Sequence, residues 1–483
     1  MPFPFALPTT SSVLLSDFVT STSHPSLPLT ATTKRSIVRD ALKKHKRLSP
    51  RDRPAHLSIV QDALLSYVPY LLALASGAGC LDVDGEQIEV DVVKPLAVEW
   101  RSTISTTLPG REPPRPRVTG LHHEIAFVLS SLAYIYVLQA RSELRALHGL
   151  SSPSAAQRTA AIGAAMKQLL QANSVHRYLL TVPSISAAKD ALVDVQASTI
   201  SALASLELAE ATLIVVLKDD PYAAAVADVR NESNTDWMFK SPEMPPVRAR
   251  LFAGICLAAA EHAGAAHALL ARSAGVKVDE DLVRFANDLR RTARAKAIRF
   301  LAINSELSAK TGEALAYIAG ARSELGLPPL ASGETARKGL KGLRHAWQEK
   351  REDRKVASTS STDWGLDAGR LEEARVVEML HAKWDRENST INVQVVPDYE
   401  PLLRQLPSAR EYHTPQVWTP PTMDETTLWQ MRAPVQPNDR AFKGDEDDSG
   451  DEDGYAAARS EPVGAFPESA DEYGRSTTSG SYY

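Results

Sequence analysis

The chain has 483 residues, 43% of them hydrophobic and 23% charged, with a net charge of −5. That composition supports a sizeable packed core and excludes a wholly disordered chain. Two cysteines, Cys80 and Cys256, exclude a disulfide framework and point to a reducing compartment. The first 33 residues are rich in Pro, Ser and Thr and read as extended, without the basic start of a secretory signal. From Lys34 to about Ala75 the pattern is helical, broken by the turn stretch "LSPRDRP" at Leu48–Pro54. The uncharged run Ala63–Leu81 has nearly the length of a membrane span, but Pro69 and the flanking Asp62 and Asp82 argue against one, so a cytoplasmic protein is expected. "CLDVDGEQIEVDVV" (Cys80–Val93) reads as a short hairpin or loop, and "LPGREPPRPR" (Leu108–Arg117) as a second loop.

Long helices follow. Leu121, Ile125, Val128, Leu129, Leu132, Ile135 and Tyr136 recur at helical spacing, and Ile162, Met166, Leu169 and Leu170 share one face of the next alanine-rich stretch. "LELAEATLIVVLKDDP" (Leu206–Pro221) is apolar on two stripes: Leu206, Leu213, Val216 and Leu217, against Leu208, Ala211, Val215 and Lys218. "LFAGICLAAAEH" doubles in the same way, with Leu251, Ile255, Ala258 and His262 in one row and Phe252, Cys256, Ala259 and Ala263 in the other. Such a helix is either interior or packed on one side and docking something on the other. Strands are nearly absent, so the expected fold is all-α, with long antiparallel helices and a solenoid-like arrangement. After Pro397 a proline-punctuated segment is expected to lie extended along the helices. From Gln436 onward twelve Asp/Glu face four Lys/Arg, which leaves +3 on the preceding body and marks a disordered acidic tail. A nearly neutral body is not the footprint of a nucleic-acid binder.

The search for catalytic constellations returns little. "HHE" (His122–Glu124) places its groups on different sides of a helix and reads as a solvated helix start. His262 and His267 lie five apart, off register for a metal pair, and Cys256 reads as a buried inert thiol. No metal, cofactor or catalytic residue is expected. A hydrolase built from scattered residues is the remaining alternative of another class.

Several patterns in order resemble the BRO-domain family, the boomerang-shaped helical domain of ALIX and its yeast relatives. They are "EIAFVLSSLAYIY", "LELAEATLIVVLK", "KAIRFLAINSELSAKTGEALAYIAGA" (Lys296–Ala321) and "NSTINVQVVPDYEPL". "MPFPFALPTT", "LAEATLIVVLKDDPY", "DWMFKSPEMPPVRARLF" and "VWTPP" further resemble its fungal pH-response branch. The resemblance implies a domain over residues 1–421, with a tetratricopeptide-like core, and a low-complexity acidic tail over 422–483. It implies a non-enzymatic adaptor of alkaline ambient-pH signalling, recruited peripherally to plasma-membrane cortical sites or endosomes. Implied partners are the carboxy-terminal amphipathic helix of the main ESCRT-III filament subunit, a calpain-like protease and a plasma-membrane receptor complex. The assembly would activate a zinc-finger transcription factor by proteolysis. An adaptor in general endosomal cargo sorting is the alternative within the family. The family's partner-binding positions fall on Val215, where an aromatic is common, and on Lys218, Leu251 and Ile255.

Overall fold

The computed structural model describes residues 2–83, 85–106, 112–147, 154–187, 192–222, 245–272, 278–328 and 364–434. Its framework is a run of antiparallel helices: α1 (Leu27–Arg47), α2 (Arg53–Ala78), α3 (Leu121–Ala146), α4 (Ala155–Thr181), α5 (Ala197–Leu217), α6 (Pro246–Ala271), α7 (Glu280–Leu307), α8 (Thr311–Glu324) and α9 (Arg370–Glu387). Consecutive helices pack on one another from α1 through to α8, as the all-α reading expects. Their starts follow local chemistry. Pro54 enters the first turn of α2, where a missing N–H costs nothing. Ser154 and Gln157 exchange side-chain and backbone hydrogen bonds in a capping box at the start of α4.

Two main cores and one small alanine cluster fill the described array. The first joins α1–α4 with the amino-terminal part of α5 and the carboxy-terminal part of α6, through Leu206, Ala209, Ala263 and Leu270. The second joins Val216 of α5 to Phe252 and Ile255 of α6, and to α7, α8 and α9. The crossed sharing of α5 and α6 between the cores fixes the two as antiparallel. Among the described residues four helices, α2, α3, α5 and α6, are long and apolar enough to cross a membrane by length and composition, and half or more of each apolar window is buried inside the array.

Strands are few but not local. β1 (Val19–Ser21) pairs antiparallel with β2 (Val90–Val92), and β3 (Ala97–Glu99) with β4 (Arg117–Thr119). The Cys80–Val93 segment therefore closes a long-range pairing as well as the local Val83–Glu86 bridge expected of a hairpin. The extended amino-terminal arm threads into the first core, with Phe5 stacked on Tyr134 at 4.6 Å and Phe3 edge-on to Phe285 at 5.3 Å.

One feature crosses nearly everything else. After α9 the chain turns at Val393, a β-branched residue at φ +44, and runs back as a strap that is extended apart from a short helix at Tyr399–Leu403. The strap meets α8, α6, α5 and α4 in reverse order. Gln394 Oε1 accepts from Gly312 N at 3.0 Å, and Leu403 lies against Gly320. Arg410 N donates to Gly254 O at 2.9 Å, His413 lies 3.3 Å from Ala211 O, and Trp418 N donates to Ser174 O at 3.1 Å. A short helix, α10 (Glu425–Met431), follows with Leu428 and Met431 buried in the first core. The compact unit thus runs from Met1 to Ala433, beyond the Pro421 at which the sequence reading closes the domain. Beyond Pro434 the acidic tail lies outside the described residues.

Glycines make the strap's seats. A Cβ at Gly312 would collide with the Val395 carbonyl, and one at Gly254 would stand 3.2 Å from the Cβ of Arg410. Close backbone approach is what these two positions require.

Candidate functional site

α5 is apolar nearly all round because nearly all of it is interior. Leu206, Leu208, Ala211 and Val216 are buried, and the half-buried Leu213 packs against both main cores. Val215 is half-buried, and Lys218, which caps the helix, is exposed. On α6, Leu251 is half-buried against the second core. Ile255, in contrast, is 1% exposed. Three of the four residues expected at a docking face thus reach the surface, and Ile255 lies beneath as floor. The physical reason is that α6 is apolar on every side, so periodicity cannot tell which row faces a neighbouring helix.

The strap gives the site its position. It touches α5 at Ala211 and α6 at Gly254, with His262 against Glu411 at 3.0 Å beside it. In antiparallel helices Val215, one turn past Ala211, comes level with Leu251, one turn before Gly254. Val247, four residues before Leu251 and on the same face, is 82% exposed. The strip is therefore Val247, Leu251 and Val215, closed by the strap at one end and carrying Lys218 alongside. Val247 is not among the residues expected from the sequence, where its i, i+4 spacing from Leu251 is the available signal.

Beneath Lys218 the chain turns inward. Asp220 is buried and takes Arg299 Nη2 at 2.5 Å, while the same guanidinium holds Glu373 at 2.5 Å through Nε. Lys296 joins Glu373 at 2.6 Å. Burial would raise the Asp220 carboxyl, but Arg299 and Lys296 outweigh it and hold it below its usual range. This cluster fixes the end of α5 against α7 and α9, and with it the placement of Lys218. Cys256 lies nearby with its thiol pushed up to about 12 by burial, which makes it inert as expected.

"HHE" departs from its sequence reading. Glu124 is fully buried, accepting from Arg35 Nε at 2.8 Å and from Trp100 Nε1 at 2.7 Å. It is a structural anchor between α1, α3 and the β3 strand end, not part of a solvated helix start.

No protein-family model matches the chain. Among solved structures, ALIX in complex with the SIVmac239 PYKEVTEDL late domain aligns with a TM-score of 0.53 at 14% identity, over 90% of this chain and 52% of that one. This chain thus spans about half of that ALIX chain, and the likeness shows the fold. The ALIX BRO1 CHMP4C complex aligns at 0.49, also with 14% identity, over 88% of this chain and 96% of that one. In sequence, the pH-response regulator protein palC of Emericella nidulans is 41% identical over 508 aligned residues, 98% of this chain and 99% of that protein. With that identity along essentially its whole length, the chain belongs to the palC family of pH-response regulators.

Proposed function

We propose that the chain is a non-enzymatic adaptor of alkaline ambient-pH signalling that holds the amphipathic carboxy-terminal helix of the main ESCRT-III filament subunit against α5 and α6. Family membership supports the pathway. The observation that supports the docking site is the apolar strip of exposed Val247 and half-buried Leu251, with Leu251 level with Val215 and Lys218 alongside. An amphipathic guest helix needs apolar contacts one turn apart, and Lys218 stands where acids flanking the guest's stripe would meet it. Ile255 supports Leu251 from below and does not touch the guest. On this reading the adaptor works at plasma-membrane cortical sites or endosomes, and brings a calpain-like protease and a receptor complex together with ESCRT-III.

Completing the burial of a half-buried leucine contributes about 1–1.5 kcal/mol, and a carboxylate in its place must also be desolvated. Leu251→Asp and Val247→Asp, both at the surface, should therefore weaken capture of the filament subunit's helix at least tenfold while the protein stays folded. Ile255→Asp is unsuited to this test, because it would place a charge in the core. A pull-down with that helix decides: undiminished capture by folded Leu251→Asp protein removes the site. A deletion strain that grows at alkaline pH but missorts endosomal cargo would instead favour the general sorting role.

A further inference from the structure

A second surface, remote in sequence from the strip, has a different chemistry. Residues 34–53 hold nine Lys/Arg and two Asp in a chain whose net charge is −5. One of the nine, Arg35, turns inward to Glu124, and the others remain on α1, the following turn and the start of α2. Along α1 an open cleft of about 470 Å³ is lined by Arg39, Asp40, Lys43, Lys44, Arg47 and Leu48. Lys43 is lowered by desolvation and by the nearby charges of Arg39, Arg115 and Arg47, so these cations are crowded together. Their acids are few: Asp40 pairs with Arg39 at 2.8 Å, and Glu112 with Lys46 at 2.6 Å and Arg101 at 2.7 Å.

Cations at the end of a helix complement its dipole, which accounts for some of the cluster. It does not account for the apolar half of the same face. Leu29 is 62% exposed and Ile37 50% exposed. With 100° per residue, Leu29, Thr33, Ile37, Asp40, Lys43, Lys44 and Arg47 share one half of the helix circumference. The outer face of α1 is therefore apolar toward its start and cationic toward its end.

We infer that the outer face of α1 is a contact surface for anionic phospholipid membranes, with Lys43, Lys44 and Arg47 at the headgroups and Leu29 and Ile37 reaching the acyl boundary. Charge complementarity selects an anionic partner, and the exposed leucine and isoleucine select a lipid surface over a nucleic acid, whose phosphates have no use for them. The reading is independent of the α5/α6 strip, so either can fail alone.

The test is co-sedimentation of the full chain with vesicles of phosphatidylcholine, with and without phosphatidylserine. Binding is expected only to the phosphatidylserine vesicles, weakening as salt rises. Each basic residue near such a surface contributes roughly fivefold, so Lys43→Glu/Lys44→Glu/Arg47→Glu should lose about a hundredfold or more. Leu29→Ser/Ile37→Ser should lose less, and the loss should persist in high salt. All five residues are surface groups, and unchanged helical circular dichroism checks that the variants fold. The inference is overturned if the wild-type chain stays in the supernatant, if charge reversal leaves binding unchanged, or if duplex RNA or DNA is bound more tightly than the vesicles.

Discussion

Two buried charge clusters lie along α5, one at its carboxy-terminal end and one near its middle, and they are built to different standards. At its carboxy-terminal end, Asp220, Arg299, Glu373 and Lys296 form a closed set of two acids and two bases. Near its middle, Glu207 has His176 at 3.0 Å, but Glu210 Oε1 and His176 Nε2 have no protein hydrogen-bond partner among the described residues. Burial, helped by the neighbouring Glu207, raises Glu210 to about 8 against the pull of the amino terminus, a Phe3 backbone hydrogen bond and Arg141, and burial raises Glu207 as well, against the opposing pull of His176. Equal burial thus has opposite consequences. Where guanidinium and ammonium groups close the set, Asp220 is held below its usual range and the cluster pins three helices. Where they do not, the carboxyl keeps its proton and the cluster becomes sensitive to pH.

The largest effect should come from breaking the closed set. Arg299→Ala removes the group shared by Asp220 and Glu373 and leaves two buried carboxylates with Lys296 alone. Loss of one partner from a buried pair costs about 3–5 kcal/mol. Denaturant unfolding should show that loss. A change under 1 kcal/mol would mean that water reaches the cluster and the pairing is not what holds α5 to α7 and α9.

Next in size is the pH dependence of the open cluster. An unfolded glutamate releases its proton near 4.5, and the folded Glu210 holds it to about 8. Between those values the folded state carries the extra proton, so stability falls as pH rises, by at most about 1.4 kcal/mol per pH unit. Above about 8 no further loss comes from this group. Across the window the change is on the order of a few kcal/mol, which thermal unfolding in a series of buffers would register. Glu210→Gln cannot ionise and should remove this slope, leaving the smaller share of Glu207. If the slope persists undiminished in the variant, Glu210 is not its source.

The same contrast explains what the sequence disclosed. Helices α1 to α4 follow from apolar periodicity, and the extended strap from its prolines, because both signals are local. The anchors are not local. Nothing in "HHE" shows that Glu124 meets Arg35, 89 positions away, or Trp100, 24 away. Nothing in "LELAEATLIVVLK" shows that Glu207 and Glu210 are both buried. The candidate strip was legible in part, since Val215, Lys218 and Leu251 reach the surface. Ile255 does not, because a helix apolar all round gives no phase to its burial. The seats at Gly254 and Gly312 are visible only once the strap is seen to cross them.

The smallest effect should sharpen the comparison from the satisfied side. Glu124 accepts from Arg35 and Trp100 at 2.8 and 2.7 Å, and Tyr67 Oη adds a longer contact at 3.4 Å. Tyr67→Phe removes only that longest donor and leaves no carboxylate oxygen bare, since Trp100 and Arg35 still hold one each. Its cost should therefore stay at or below about 1 kcal/mol. Trp100→Phe strips Oε2 of its short donor and leaves it only Arg35 Nη2 at 3.4 Å, so it should cost more, about 1.5–3 kcal/mol. Denaturant midpoints of the two variants give the order directly. If Tyr67→Phe proves the costlier, the carboxylate is held chiefly by the phenol, and redundancy of donors is not what separates Glu124 from Glu210.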